Sequence, residues 1–274
     1  MQEKLKKLKN NDKPIGIFDS GFGGLTVMSA ISKILPKENL IYFGDTAHVP
    51  YGSKSKKIVT EFATKISKFL IQNDVKMIVI ACNTASAFSL DYLRKNIKVP
   101  IIGVIKAGSV MAAQNTKNKK IGVIGTEGTV KSNAYEKEIK KYDNKINCFS
   151  KACPLFVPLV EEGWNSGKIT EDIIKVYLKN LVDKKIDTII LGCTHYPLLK
   201  ETIKKVIGNK INIIDSANAV AVAVKNLLTE KGLLKVNDKS TYKFFVSDGP
   251  DKFKKIGSKF LGKKILTVKK VEID

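Results

Sequence analysis

The chain has 274 residues, of which 43% are hydrophobic and 27% charged, proportions typical of a folded globular protein rather than a disordered one. Its formal net charge is +22, from 48 basic and 26 acidic residues. No apolar stretch approaches the ~20 residues of a membrane helix, and the basic start, residues 1–14, precedes no apolar signal-peptide core. We therefore expect a cytoplasmic protein without a membrane partner.

The elements predicted along the chain are short apolar strands that alternate with helices. The strands are predicted at residues 15–18, 40–43, 77–81, 100–104, 121–124, 146–149, 187–191 and 211–214. The helical patterns in the first part lie near residues 24–35, 55–73 and 84–96. This alternation predicts an α/β fold with parallel sheets that are buried on both faces.

The last part of the chain has a different pattern. A helix is predicted across 216–232, an edge strand within 242–248, and a lysine-rich tail after it. We expect this segment to cross back and pack on the first domain.

The two halves of the chain resemble each other at a nearly constant spacing. IGIFDSGFGGLTV from Ile15 is similar to IGVIGTEGTVKS from Ile121, and VIACNTASA is similar to ILGCTHYPLL. The pattern predicts two duplicated parallel-sheet α/β domains related by pseudo-twofold symmetry, with an active site in the cleft between them. The first domain would comprise residues 1–105 plus 216–274, and the second residues 106–215.

Each half carries one cysteine directly after an apolar strand, Cys82 in ACNTAS and Cys193 in LGCTHY. Each thiol should lie on a strand-to-helix turn, where the positive helix end favours a thiolate. Inversion of a stereocentre needs a base on one face and an acid on the other. Two facing thiols therefore suggest a two-base enzyme, and the hydroxyls and amides beside them suit the carboxylates of an amino acid.

Other polar residues follow predicted strands as well. In parallel sheets ligands bind at the carboxyl ends of the strands, which is where Asp19, Asp45 and Thr126 fall together with the two thiols. Competing interpretations remain for some of them. His195 could be a helix-capping or core residue, and Asp19 and Asp45 could be N-caps.

No metal or cofactor is expected. Cys148 and Cys153 form no C-x-x-C pair and are interpreted as structural, and the only histidines are His48 and His195. The glycine-rich turn DSGFGG should let backbone amides approach an anion, but it matches neither the dinucleotide-binding nor the P-loop spacing. No lysine lies in a recognisable pyridoxal-phosphate motif.

The positive charge leaves a second class of function open, a basic nucleic-acid-binding protein with incidental thiols. Arg94 is the single arginine, and the lysines are scattered. Because phosphate and base recognition favour the planar fork of arginine, the pattern favours a coding bias towards lysine. Weak non-specific nucleic-acid affinity stays possible. A thiol redox protein is a further rival, but redox cysteines usually lie two residues apart on one helix start.

Six motifs in order over nearly the whole chain resemble the glutamate racemases of the cofactor-independent Asp/Glu racemase superfamily. They are IGIFDSGFGGLTV, YFGDTAHVPYGSKS, ACNTAS, IGVIGTEGTVKS, ACPLFVPLVEEG and LGCTHYPLL. The resemblance implies cofactor-independent interconversion of L- and D-glutamate, which supplies D-glutamate for peptidoglycan, by an enzyme that usually forms homodimers. Aspartate racemase of the same superfamily is the nearest alternative, and GDTAHVPYG favours glutamate.

The resemblance also implies residue roles. Cys82 would remove the proton from D-glutamate with help from Asp19, and Cys193 would remove it from L-glutamate with help from His195. The further ionisable groups near the site would be Asp45 and Glu161, with Glu162 as the alternative to Glu161. The substrate's carboxylates and ammonium would be held by Asp19, Ser20, Tyr51, Gly52, Asn83, Thr84, Thr126 and Thr194. Members that are activated by a UDP-muramyl peptide precursor tend to carry a longer N-terminal extension than residues 1–13 here.

Overall fold

The computed structural model describes residues 11–273 and contains two sheets in which neighbouring strands run parallel. The strands of the first sheet are β1 (Ile15–Asp19), β2 (Leu40–Gly44), β3 (Met77–Ile80), β4 (Ile101–Gly103), β9 (Tyr242–Val246) and β10 (Lys269–Lys270). The strands of the second sheet are β5 (Lys120–Gly125), β6 (Asn147–Ala152), β7 (Thr188–Gly192) and β8 (Asn212–Asp215). The predicted strand positions of both halves are thus confirmed to within a few residues.

The strand order repeats between the sheets. The first sheet runs β10-β9-β2-β1-β3-β4, and the second runs β6-β5-β7-β8. The run β2-β1-β3-β4 therefore has the same order as β6-β5-β7-β8, as a duplicated unit requires. The predicted α/β class with two parallel sheets is confirmed, whereas the division at residues 105 and 215 stays a prediction.

Helices connect the strands and cover both faces. In chain order they are α1 (Leu25–Ile34), α2 (Lys56–Gln72), α3 (Asn83–Asn96), α4 (Val104–Asn115), α5 (Glu127–Lys131), α6 (Ala134–Tyr142), α7 (Phe156–Glu161), α8 (Lys168–Asp183), α9 (Lys200–Ile207), α10 (Ser216–Glu230) and α11 (Pro250–Leu261). Short 3-10 helices cover Tyr51–Ser53 and Tyr196–Leu199. Among the helices of residues 11–273, none has the length and apolar character needed to cross a membrane.

The local sequence explains these elements. All residues of β1, β2, β3 and β7 are buried, because each strand is an apolar run between two helical layers. Helix α2 begins after Ser55, whose side chain accepts a hydrogen bond from the backbone of Ile58. Its buried residues Val59, Ala63, Ile66 and Leu70 recur at helical spacing and form the face that packs on the sheet.

The C-terminal segment joins the first sheet, but the predicted edge position of its strand is wrong. Strand β9 pairs with β2 on one side and with β10 on the other. The edge is therefore Lys269–Lys270, a pair of exposed lysines too short and polar to produce a strand pattern in the sequence. Helices α10 and α11 both pack against α1.

A buried ion pair ties the beginning of the described chain to this C-terminal segment. Nζ of Lys76 lies 2.5 Å from Oε2 of Glu38, and both side chains are only 2% exposed. The same Nζ donates to the carbonyl oxygens of Asn11 and Leu233, each at 2.8 Å. The backbone N–H of Lys235 donates to the other oxygen of Glu38.

We expect Lys76→Met to lower the free energy of unfolding by about 3–5 kcal/mol, because the carboxylate of Glu38 stays buried without its countercharge. Chemical denaturation measures the loss. Lys37→Met is the matched control, since Lys37 pairs with Asp238 at the surface, where the two side chains are 53% and 86% exposed. The control should leave stability unchanged. Equal stability of both variants would show that the buried pair contributes little.

Candidate active site

Cys82 and Cys193 line the same small cavity, which lies among the carboxyl-terminal ends of strands from the two sheets. Residues preceding β5 that line it are Ser20, Val49, Pro50, Tyr51, Gly52, Cys82, Asn83 and Thr84. Those following β5 are Thr126, Val157, Glu161, Cys193, Thr194 and His195. The cavity volume is about 40 Å³, which is room for only a few water molecules.

The surroundings of Cys82 keep it protonated near neutral pH. Cys82 precedes the first residue of α3, and its Sγ accepts a long hydrogen bond, 3.5 Å, from the backbone N–H of Ala85. Burial raises the pKa of the Cys82 thiol to about 12, with a further contribution from the charge of Asp19, and outweighs the lowering by the helix amide. The helix end thus lowers the pKa of Cys82, as expected, but burial has the larger effect and keeps the thiol protonated. Its thiol donates to Oγ of Ser20 at 3.8 Å.

Cys193 lies on a turn between a strand and a helix, as predicted, but the helix begins later than it does after Cys82. It follows β7, but the next element is the 3-10 helix Tyr196–Leu199, and helix α9 begins only at Lys200. Pro197 lies in this 3-10 helix and has no backbone N–H to donate. The strand-to-helix turn is therefore longer at Cys193 than at Cys82.

His195 links Cys193 to Glu161. Nδ1 of His195 lies 3.9 Å from Sγ of Cys193, and Nε2 lies 3.2 Å from Oε1 of Glu161. Burial alone lowers the pKa of His195, but hydrogen bonds to Cys193 and Glu161 and nearby negative charges raise it to about 10. The ring is thus an imidazolium near neutral pH and stabilises negative charge on Sγ of Cys193. Glu161 rather than Glu162 makes this contact, because Glu162 lies after the end of α7 and is exposed.

Asp19 lies behind the cavity wall and joins the two halves. It is fully buried, and burial raises its pKa. Its carboxylate accepts hydrogen bonds from the backbone N–H of Gly21 at 3.0 Å and from Oγ1 of Thr194 at 3.4 Å. It affects Cys82 through its charge. The capping alternative is wrong for Asp19, because helix α1 is preceded by Gly24.

The glycine-rich turn allows this close approach. A Cβ at Gly23 would overlap Oγ1 of Thr194 and would lie 2.7 Å from Nδ1 of His195. A Cβ at Gly24 would lie 2.5 Å from Cβ of Asp19. Both glycines therefore leave room for side chains of the site, and Gly23 admits those of the opposite half. This role differs from the backbone approach to an anion that the sequence suggested.

Asp45 contacts the cavity only through another residue. It is fully buried and does not line the cavity. Its Oδ2 accepts a hydrogen bond from the hydroxyl of Tyr51 at 2.5 Å, and its Oδ1 accepts one from Oγ of Ser247 at 2.7 Å. Nδ1 of His48 lies 2.8 Å from the same Oδ1. Asp45 is thus the anchor of Tyr51, which does line the cavity, and it caps no α-helix.

A cluster of threonine hydroxyls closes another side of the cavity. Oγ1 of Thr84 lies 2.8 Å from Oγ1 of Thr126, and Oγ1 of Thr129 lies within 3.2 Å of both. Sequence reasoning missed Thr129, although its spacing of one helical turn from Thr126 is a usable signal. It also missed the apolar lining residues Val49, Pro50 and Val157, which lie inside or beside the quoted motifs.

The cavity offers hydrogen-bond donors to an anionic substrate without a lysine or an arginine. No lysine or arginine lines the cavity in the part of the chain that the structure describes. The donors are neutral hydroxyls, the amide of Asn83 and the imidazolium of His195. A larger groove of about 860 Å³ lies elsewhere, between α4, α10 and the β4 edge of the first sheet, and contains neither thiol.

Known proteins share both the sequence and the fold. The family model described as "Asp/Glu/Hydantoin racemase" matches residues 15–224. A glutamate racemase of Geobacter metallireducens is 46% identical over 263 residues, which cover 96% of this chain and 97% of the relative. The crystal structure of glutamate racemase from Francisella tularensis in complex with D-glutamate is 42% identical with a TM-score of 0.91, covering 96% of this chain and 99% of that one. The crystal structure of a glutamate racemase isoform from Bacillus anthracis is 41% identical with a TM-score of 0.92, covering 95% of this chain and 97% of that one.

Proposed function

The chain belongs to the Asp/Glu/hydantoin racemase family, and on this basis we propose that it interconverts L-glutamate and D-glutamate by cofactor-independent proton transfer between two cysteines. The observation that carries the proposal is that Cys82 and Cys193 line one cavity from the ends of β3 and β7, two strands with equivalent places in their sheets. The names of the relatives support glutamate as the substrate.

The two thiols would exchange roles with the direction of reaction. From L-glutamate, Cys193 as a thiolate takes the α-proton, and the imidazolium of His195 beside it stabilises that thiolate. Cys82, a thiol near neutral pH, then delivers its proton to the opposite face of the same carbon. From D-glutamate, Cys82 is the base and Cys193 the acid, so each turnover removes one proton and adds one.

Binding must also stabilise the carbanion, because an α-proton of an amino acid is very weakly acidic. Neutral donors around the α-carboxylate would disperse the developing charge, and they would be drawn from Ser20, Asn83, Thr84, Thr126 and Thr194. Tyr51 and Gly52 would complete the binding of the substrate. The cavity of about 40 Å³ must widen to admit glutamate, and its closure around the bound substrate would exclude bulk water from the reacting carbon.

The acidic residues would act on the reaction indirectly, each through a neighbouring residue of the site. The charge of Asp19 raises the pKa of Cys82 and so makes its thiolate a stronger base. Glu161 holds the ring of His195 in place and favours its charged form. Asp45 fixes the hydroxyl of Tyr51.

The wider role follows from the substrate. We propose that the product D-glutamate is used for peptidoglycan synthesis in the cytoplasm, that the enzyme acts as a homodimer, and that residues 1–105 with 216–274 and residues 106–215 are its two domains. The expectation about activation by a UDP-muramyl peptide precursor rests on residues 1–13, of which residues 1–10 lie outside the described part of the chain.

The test is a polarimetric assay. Purified protein incubated with L-glutamate and no added cofactor should reduce the circular dichroism of the solution to zero, and D-glutamate should approach zero from the opposite sign. L-Aspartate is the comparison substrate and should react far more slowly. Faster loss of the aspartate signal would assign the protein to aspartate, and an unchanged signal with both amino acids would refute the proposed activity.

A further inference from the structure

A buried tyrosine outside the cavity contacts one of its polar residues. Tyr135 belongs to α6, is only 2% exposed and does not line the cavity. Its hydroxyl donates to Oδ1 of Asn83 at 2.7 Å. Asn83 follows Cys82 directly and lines the cavity. The contact joins the two halves of the chain, because Tyr135 follows β5 of the second sheet and Asn83 follows β3 of the first.

A third residue completes a chain of hydroxyls. Oγ of Ser216, the first residue of α10, lies 3.3 Å from the hydroxyl oxygen of Tyr135. Because a phenol carries only one hydrogen, and Tyr135 gives it to Asn83, Ser216 must be the donor in this second contact. The hydroxyl hydrogens therefore point from Ser216 to Tyr135 and from Tyr135 to Asn83.

Two glycines make the space in which Tyr135 lies. A Cβ at Gly192, the residue before Cys193, would lie 3.1 Å from Cε2 of Tyr135. A Cβ at Gly108 would lie 2.5 Å from Oγ of Ser216 and 3.6 Å from Cε1 of Tyr135. The absence of a side chain at Gly192 and Gly108 thus leaves room for the ring of Tyr135 and for the hydroxyl of Ser216 beside it.

We propose that Tyr135 is a positioning residue that fixes which end of the Asn83 carboxamide faces the cavity. With Oδ1 held by the phenol, Nδ2 turns towards the cavity and offers hydrogens to a substrate carboxylate. The flipped carboxamide would present its oxygen to that carboxylate and would repel it. The inference rests on the proposed function for the identity of the ligand, glutamate.

A role of Tyr135 in orienting Asn83 and a role in core packing alone predict different effects on glutamate binding. If Tyr135 only packed in the core, removal of its hydroxyl could lower the stability of the fold, but any effect on glutamate binding would be the same with and without the carboxamide of Asn83. If it orients Asn83, its effect on glutamate binding must vanish when the carboxamide is absent. A double-mutant cycle separates the two roles.

The experiment measures the dissociation constant of L-glutamate by calorimetry for Tyr135→Phe, Asn83→Ala and the double variant. Tyr135→Phe should weaken binding about 10-fold, since the carboxamide of Asn83 can then flip and lose part of its hydrogen bonding to the charged substrate carboxylate. The double variant should bind no more weakly than Asn83→Ala alone.

Tyr196→Phe is the matched control. Tyr196 is also fully buried, and its hydroxyl donates to the carbonyl oxygen of Cys153 at 2.9 Å, away from the cavity lining. This variant should bind glutamate as the wild type does. Ser216→Ala keeps the phenol but removes its donor, so it should weaken binding about 2- to 3-fold, and it provides a second measurement if Tyr135→Phe folds poorly.

Two outcomes would overturn the inference. One is unchanged glutamate binding by both Tyr135→Phe and Ser216→Ala. The other is a further 10-fold loss when Tyr135→Phe is added to Asn83→Ala, because additive losses mean independent residues. Racemisation by the wild type is scored separately in the polarimetric assay, so failure of the proposed activity and failure of this inference are distinct results.

Discussion

Replacement of either Cys82 or Cys193 by serine is expected to slow racemisation of glutamate about 100- to 10,000-fold, the contribution of a positioned general acid or base. A hydroxyl is a far weaker acid than a thiol and so serves poorly in either role. The rate is measured from the circular dichroism of L- and D-glutamate.

The matched control for these variants is Cys148→Ser. Cys148 lies in β6, is partly buried and does not line the cavity, so its replacement should leave the rate unchanged. In deuterated water the wild type and this control should place deuterium at Cα of the product in each turnover, because the acidic thiol has already exchanged with solvent. Racemisation that survives both active-site serine variants would show that the cysteines are not the bases.

The second large effect is expected from the two residues that tune the thiols. His195→Asn should lower the turnover rate about 100-fold, because it removes the imidazolium beside Cys193. Asp19→Asn should also slow turnover, because loss of its charge lowers the pKa of Cys82 and weakens its thiolate as a base. A catalyst cannot change the overall equilibrium, so kcat/KM must fall equally in both directions for each variant.

The difference between the two variants should appear in single-turnover proton exchange. His195→Asn should slow proton loss mainly from L-glutamate, and Asp19→Asn mainly from D-glutamate. Equal slowing from both enantiomers would indicate that these residues serve binding instead. Glu162→Gln is the control, since Glu162 is exposed and lies outside the cavity lining, and it should behave as the wild type.

We also expect His195→Asn to change how the rate of racemisation depends on pH. The pKa of His195 is raised to about 10, so the imidazolium is present below that pH and is lost as the pH rises through it. Its support of a Cys193 thiolate should therefore decline at alkaline pH in the wild type. His195→Asn should lack this alkaline decline, and persistence of the decline would assign it to another group.

The sequence alone determined where most strands and helices lie and that the two thiols follow equivalent strands. Short apolar runs followed by helical patterns are local signals, and they placed the described strands of both halves within a few residues. The matching positions of Cys82 and Cys193 after equivalent strands predicted that both would line one cavity, because carboxyl ends of parallel strands form binding edges. The strand Lys269–Lys270 escaped prediction because two lysines have no apolar periodicity.

Only the tertiary structure decided which side chains meet. A choice between neighbours such as Glu161 and Glu162 depends on where helix α7 ends and on which residue then faces the cavity, which a motif does not fix. The place of Asp45 behind Tyr51 depends on Ser247, which the chain brings back from its C-terminal segment. The contact of Tyr135 with Asn83 arises from the packing of two halves, and no local pattern encodes the partner of a buried hydroxyl. Local sequence fixes backbone periodicity, whereas contacts between distant residues are set by how the sheets and helices pack.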